Sequence, residues 1–538
     1  MDLLPFIGSG FQRFPHLSGR KRKEYMVFKV YSGRVRGVFG DLITVEVDAS
    51  PGLPEISIIG LPGSAVKEAK DRVKVALKNC GVTIPSVKLV INLSPADEHK
   101  EYTGLDLPIA VGFLGVFGHL SEFDPATTLL LGEISLDGKL IPVRGVLPIV
   151  KMAAEKGFKK VILPKENAEE GALIHNIKII PAESVMDVMT YLGLGEPMKD
   201  AFLPPVKEDP DAFSEDPLTD CDFKDVYGQE SVKRAAAIAA SGFHHLLLTG
   251  PPGTGKSLIA KRIPGIMPSL TYEESLEVTT IYSVSGKLKE KASFIKKRPF
   301  ISPHHSASSI AFTGGGPQAS PGLVSLSHKG ILFLDEMTEF KKETLDMLRQ
   351  PLEDRTITVS RTKSSLTYPA EFMLVGAMNP CPCGFYPDRN RCSCSDSSIE
   401  RYLKKLSGPI LDRIDMVADV SRIGLKEMEK ERAEGLDSVT LKSMVMDAVK
   451  RQEVRFKNES FRFNAQIPTS RIDEFVPLNT DAKDFLYKTY ESLNLSMRSF
   501  YKMIRVARSI ADFDGDEKVS VKHLAEASCY RFPEYIRR

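Results

Sequence analysis

Residues 245–257 read HLLLTGPPGTGKS, and the fold follows from this stretch. Three leucines make a short apolar strand. The strand runs straight into Gly250-Pro251-Pro252-Gly253-Thr254-Gly255-Lys256-Ser257, which has the pattern G-x-x-x-x-G-K-S, and a helical pattern follows. Glycines let backbone N–H groups converge on phosphate oxygens, and the start of the helix adds the positive end of a dipole. Lys256 has the reach for the β- and γ-phosphates, and the Ser257 hydroxyl suits Mg²⁺. The strand-turn-helix setting argues against a chance glycine-rich turn.

Two further apolar strands flank this reading. Residues 331–336, ILFLDE, end a buried strand on Asp335 and Glu336. In a triphosphate site the first carboxylate would hold Mg²⁺ and the second would polarise the attacking water. Residues 371–379, EFMLVGAMN, end on Asn379, whose amide can contact a γ-phosphate or that water. Continuous apolar strands separated by helices predict a parallel sheet covered on both faces. Transfer of a phosphoryl group also needs positive charge. Arg413, in SGPILDRID, and Arg498, at the start of a helical run, are candidates, with Arg401 a rival to Arg413.

At 538 residues the chain is too long for one ordinary core. Its composition, 42% hydrophobic and 26% charged, is that of a globular protein, and a net charge of +2 means that any nucleic-acid site must be a local patch. Residues 1–25 read as a disordered basic extension, residues 26–195 as a mixed α/β domain, and residues 196–222, rich in Pro and acidic residues, as a linker. Residues 223–420 form the phosphate-binding α/β core and residues 421–538 a helical lid. Nothing reads as a membrane span or an export signal, so the expected location is the cytoplasm.

Four of the seven cysteines crowd together: Cys381, Cys383, Cys392 and Cys394. In a reducing compartment such clustering points to metal rather than disulfides. Four thiolates suit structural Zn²⁺, although C-x-C is tighter than the usual C-x₂-C spacing, and reduced unligated cysteines remain the alternative. Residues 355–369 read as two strands around a basic turn bearing Arg361 and Lys363, which could touch DNA phosphates; a solvated turn is the other reading. The glycine-rich loop at 312–316 is a second candidate for a mobile contact.

Taken together, the phosphate loop, ILFLDE, GAMNPCPCG, SGPILDRID and RPFISPHHSASSIAFTGGGPQASPGLVSLSHKG resemble the magnesium-chelatase-like AAA+ ATPases of the ComM/YifB group. The resemblance extends to VYSGRVRGVFGDLITVEVDASPGLPEISIIGLPGSAVKEAKDRV near the amino terminus. It implies an ATP-dependent homo-hexameric ring, with Arg413 as the finger completing a neighbour's site, Asn379 as sensor one and Arg498 as sensor two. It further implies a DNA helicase driving branch migration, on branched or single-stranded DNA, in recombination during natural transformation. A metal-chelatase motor subunit and a protein-remodelling ATPase are the alternatives. Residues 26–195 are similar to the Lon protease proteolytic fold through KEYTGLDLP and GEISLDGK. There the resemblance places the nucleophilic Ser at Gly104 and the Lys base at Leu147, so neither group of the dyad is present and a scaffold role is expected.

Overall fold

A computed structural model of the protein describes residues 27–96, 102–121, 123–194, 221–288, 294–316, 319–360, 365–422, 424 and 435–531. The expected extension at 1–25 and nearly all of the expected linker lie outside the described residues, as do Arg361 and Lys363.

The amino-terminal layer is built on alternation. In β2 (Phe39–Ser50) the residues Ile43, Val45, Val47 and Ala49 are buried and their neighbours half-exposed, the period-two pattern of a strand with one covered face. It pairs with β1 (Phe28–Arg36) on one side and β4 (Lys88–Ser94) on the other, both antiparallel, while β3 (Glu55–Ile59) runs parallel to β4. Beyond β1 the sheet continues in parallel through β5 (Thr128–Leu130), β8 (Lys160–Pro164) and β9 (Lys178–Ala182); β6 (Glu133–Ile134) and β7 (Leu140–Ile141) form a small hairpin of their own. The order is β3-β4-β2-β1-β5-β8-β9. The apolar residues 107–116 lie in the helix Asp106–Val116, whose residues from Asp106 to Leu114 are all buried.

The second sheet is parallel throughout. Its strands are β10 (Leu246–Thr249), β11 (Phe300–Ile301), β14 (Ile331–Leu334), β17 (Met373–Met378) and β18 (Met416–Asp419), in the order β11-β14-β17-β10-β18. Every residue of β10, β14 and β17 is buried, as continuous apolar runs require when helices cover both faces. Two hairpins stand off this sheet: β12 (Gly314–Gly315) with β13 (Ser320–Pro321), and β15 (Thr356–Ser360) with β16 (Ser365–Pro369).

Carboxy-terminal to the sheet the chain is helical, with the long helices Ser438–Arg455 and Met497–Asp514 packed against the helix Glu230–Gly242. Asp512 is fully buried there, and its charge is met by Arg455, Arg508 and Asn464. The two α/β layers also touch. Phe294, Tyr272 and Leu276 join the apolar cluster around Val146 and Leu129, and Glu170 accepts hydrogen bonds from Ser283 Oγ and from the Leu147 amide. Among the described residues no helix is long and apolar enough to cross a membrane.

Candidate nucleotide site

The order β14-β17-β10 builds the site. β17 is inserted between the strand leading into the phosphate loop and the strand ending on Asp335. All three run the same way, so their carboxyl ends open at one edge of the sheet. Asn379, one residue past β17, is therefore aimed between the loop and the carboxylates.

The loop needs its glycines for different reasons. Gly250 has no room for a side chain, since a Cβ there would meet the Val420 carbonyl at 2.2 Å. Gly253 and Gly255 lie at φ +77° and +89°, in the left-handed region that favours glycine. The helix that follows is short, Lys256–Ala260, and helical structure resumes at Ile263–Ile266. Pro264 accounts for the break, because it cannot donate to the carbonyl four residues earlier.

Lys256 Nζ donates to the carbonyls of Gly250 at 2.7 Å and Pro251 at 2.8 Å and to Asn379 Oδ1 at 3.1 Å. The ammonium thus sits inside the loop's own curve, at ordinary N–H···O distances from three neutral oxygens. Burial lowers its pKa, opposed by Asp335 and Glu336. Ser257 Oγ donates to Asp335 Oδ2 at 2.7 Å, so the hydroxyl and the carboxylate already share one position. Glu336 follows at φ +48°, an unusual conformation for a residue with a side chain and one that costs roughly 1–3 kcal/mol.

These groups border a cavity of about 570 Å³. Pro252, Gly253, Lys256, Ser257, Asp335, Glu336 and Asn379 line it, which brings the sequence-predicted loop, acid pair and amide together. Arg401, Tyr402, Lys405 and Pro382 complete the wall. Of these only Arg401 drew attention in the sequence. Tyr402 belongs to the helix Asp396–Leu403 and is fixed by a 2.6 Å bond between its hydroxyl and Thr338 Oγ1. A larger cavity of about 870 Å³, between that helix and the carboxy-terminal helices, contains none of the loop residues.

Arg413 and Arg498 do not line the loop's cavity. Both bind Glu353, a residue with no sequence signal of its own. Next to them, Asp415 is engaged by Lys502 at 3.1 Å and accepts the His245 amide at 2.9 Å. Burial alone would raise the Asp415 carboxyl, but Lys502 and His244 outweigh it and hold it well below the ordinary carboxylate range.

The four clustered cysteines converge. Their sulfurs all lie within 4.8 Å of one another, with Cys381–Cys383 at 3.4 Å, Cys381–Cys392 at 3.7 Å and Cys383–Cys392 at 3.6 Å. The Gly384 amide donates to Cys381 Sγ at 3.2 Å. In the amino-terminal layer Gly104 is buried with the Tyr102 ring over it, 2.4 Å from where a Cβ would stand, and Leu147 is fully buried in an apolar cluster. No Ser–Lys dyad occupies those two positions.

Comparison with known proteins agrees with this geometry. The family described as magnesium chelatase, subunit ChlI, matches residues 222–428; its C-terminal family matches residues 435–531, and a further subunit ChlI family matches residues 45–167. The chain is 40% identical to the YifB protein of Salmonella typhimurium over 93% of its own length and 96% of that protein. It is 38% identical to the competence protein ComM of Haemophilus influenzae, over 93% of this chain and 97% of ComM. An archaeal Lon protease of Thermococcus kodakarensis is 27% identical over 35% of this chain and 32% of that protease.

Proposed function

The chain belongs to the magnesium-chelatase-like ComM/YifB family of AAA+ proteins, and from that premise we propose that it is an ATP-hydrolysing motor. It assembles as a homo-hexameric ring in the cytoplasm and drives branch migration of branched or single-stranded DNA. The observation that carries the ATPase reading is the convergence of Lys256, Asn379, Asp335 and Glu336 at the carboxyl ends of β10, β17 and β14.

Each group has work that its position supports. The loop amides and Lys256 cradle the phosphates, and phosphate oxygens replace the carbonyls that Lys256 now binds. Ser257 and Asp335 would hold Mg²⁺, which supplies charge neutralisation at the phosphate oxygens. Glu336 orients the attacking water and draws on its proton. Asn379 stands where a γ-phosphate would end. Arg413 is the finger for the neighbour's site, which its absence from the wall of its own cavity supports, and Arg498 serves as sensor two. Arg401, on that wall, acts within its own subunit. Zn²⁺ on the cysteine set is part of the same reading.

On this reading residues 26–195 are a Lon-like scaffold without peptidase chemistry, residues 223–420 the motor core and residues 421–538 the lid, with 196–222 as the connection. The name of the Haemophilus relative favours a role with incoming DNA. In sequence, Arg361 and Lys363 fall between β15 and β16 and lie outside the described residues. The ChlI families that match favour a second reading, a motor that powers metal insertion. One assay separates the two: ATP hydrolysis and unwinding with a four-way DNA junction, for the wild type and for Arg361→Ala/Lys363→Ala. DNA stimulation lost in the double variant is expected. Hydrolysis indifferent to every DNA tested would leave the chelatase-type or protein-remodelling motor.

A further inference from the structure

The cysteine cluster is built against the phosphate loop. Three contacts join them. Asn379, two residues before Cys381, holds Lys256 Nζ at 3.1 Å. Pro382, between the first two cysteines, lines the cavity that Lys256 lines. Gly384, at φ +84°, lies so close to Pro252 that a Cβ would stand 2.4 Å from the proline Cδ.

The sulfur geometry is that of a tetrahedral metal site. Zinc bound to four thiolates at about 2.3 Å sets sulfurs about 3.8 Å apart. Among Cys381, Cys383 and Cys392 the separations are 3.4, 3.6 and 3.7 Å, far longer than the roughly 2.05 Å of a disulfide, and Cys394 Sγ lies within 4.8 Å of the other three. Four soft thiolates in this arrangement select zinc over hard cations. Cys381 is completely buried and Cys392 nearly so, while Cys383 and Cys394 face outward in part. The amides of Gly384 and Tyr386 point at Cys381 Sγ, at 3.2 and 3.5 Å, as donors that orient a ligating thiolate.

Within the segment 381–394, Phe385 and Tyr386 pack against the apolar cluster, and Arg389 binds the Cys394 carbonyl at 2.9 Å and the Asp396 carboxylate. The segment is a run of turns: Gly384 N to the Cys381 carbonyl at 3.0 Å, Asp388 N to Phe385 at 2.9 Å, and Cys392 N to Asp388 at 2.8 Å. A metal bound by all four sulfurs would tie the two ends of this run of turns to each other directly, a constraint that the local turn bonds do not supply.

Resting on the phosphate-loop reading above, we propose that Cys381, Cys383, Cys392 and Cys394 bind one Zn²⁺ and that this ion clamps Pro382 and Gly384 onto Pro252, so that zinc occupancy sets nucleotide affinity. The ion would thus regulate the motor from outside the reacting groups.

The test uses the full chain, with zinc measured by atomic emission and nucleotide affinity by a fluorescent ATP analogue. Excess Mg²⁺ is kept present while a zinc-selective chelator removes zinc. The expected result is one zinc per chain as purified, at least about a tenfold loss of affinity on removal, and recovery when Zn²⁺ is added back. Substoichiometric zinc in protein grown with zinc, or equal affinity with and without the ion, overturns the proposal. Zinc-loaded protein that binds no nucleotide overturns the phosphate-loop reading as well, which distinguishes the two failures. Should chelation unfold the chain, Gly384→Ala decides. Its methyl group would meet Pro252 Cδ, and zinc is measured on the same variant, so zinc retained with affinity lost supports the clamp, and zinc retained with affinity intact refutes it.

Discussion

Arg413 and Arg498 close on the same carboxylate, that of Glu353, one from the sheet-bearing core and the other from the first turn of the helix Met497–Asp514. Neither reaches the cavity around Lys256. One turn further along the same helix Lys502 grips Asp415. Two cations of the helix are therefore anchored on acids of the core, beside the segment that carries Arg413.

If Arg413 completes a neighbour's site, its loss can be made good by a partner. Arg413→Ala alone should lower ATP hydrolysis by about 10³-fold or more. Mixed with Lys256→Ala, itself inactive, it should recover a measurable fraction in a phosphate-release assay, because the intact loop of one variant meets the intact arginine of the other. Arg401→Ala, altered on the wall of its own cavity, should show no such recovery. Full activity in Arg413→Ala alone would refute the finger assignment.

Binding and cleavage should separate at Lys256 and Glu336. Lys256→Ala removes the ammonium from the loop and should abolish retention of a fluorescent ATP analogue. Glu336→Gln leaves the loop intact and should bind the analogue normally while slowing turnover by roughly 10²–10⁴-fold. A Glu336→Gln protein that turns over at the wild-type rate would remove the water-orienting role.

Asp415 gives a stability prediction with a definite sign. Its carboxyl is held below the unfolded value, about 3.9, so the unfolded chain binds more protons as the solution is acidified. The stabilisation is present above about pH 4 and is lost as the pH falls through the depressed folded value. Thermal melts from pH 7 down to pH 3 should show this loss. Lys502→Met strands a buried carboxylate and should cost roughly 3–5 kcal/mol at pH 7. It should also reverse the acid response, because Asp415 would then gain a proton on folding. An unchanged melting temperature at pH 7 would mean that the pair contributes nothing.

Restoring the missing dyad should not restore peptidase chemistry. Gly104→Ser must push aside the Tyr102 ring, and Leu147→Lys places an ammonium among apolar side chains. The double variant should be less stable than the wild type and leave labelled casein intact. Casein cleavage by the purified variant would show that only two side chains separate this layer from a protease.

What the sequence made legible was what is local in the chain. The phosphate loop, the acids after ILFL and the four cysteines each occupy a short stretch, so their chemistry shows in their spacing. Asn379 could be found because it ends an apolar strand. Glu353 could not, because its partners lie 60 and 145 residues away and nothing near it hints at a charge clamp. The walls supplied by Tyr402 and Pro382 were hidden for the same reason.

The contact of Ser283 with Glu170 has a mechanical consequence. The helix Tyr272–Ser285 ends on a buried acid of the amino-terminal layer, and the Arg144 side chain lies over Gly286 at its carboxyl cap. A tilt of that helix would pull on Glu170 and Arg144 directly, through side-chain contacts. On the motor reading, the amino-terminal layer would therefore move with that helix, against viscous drag.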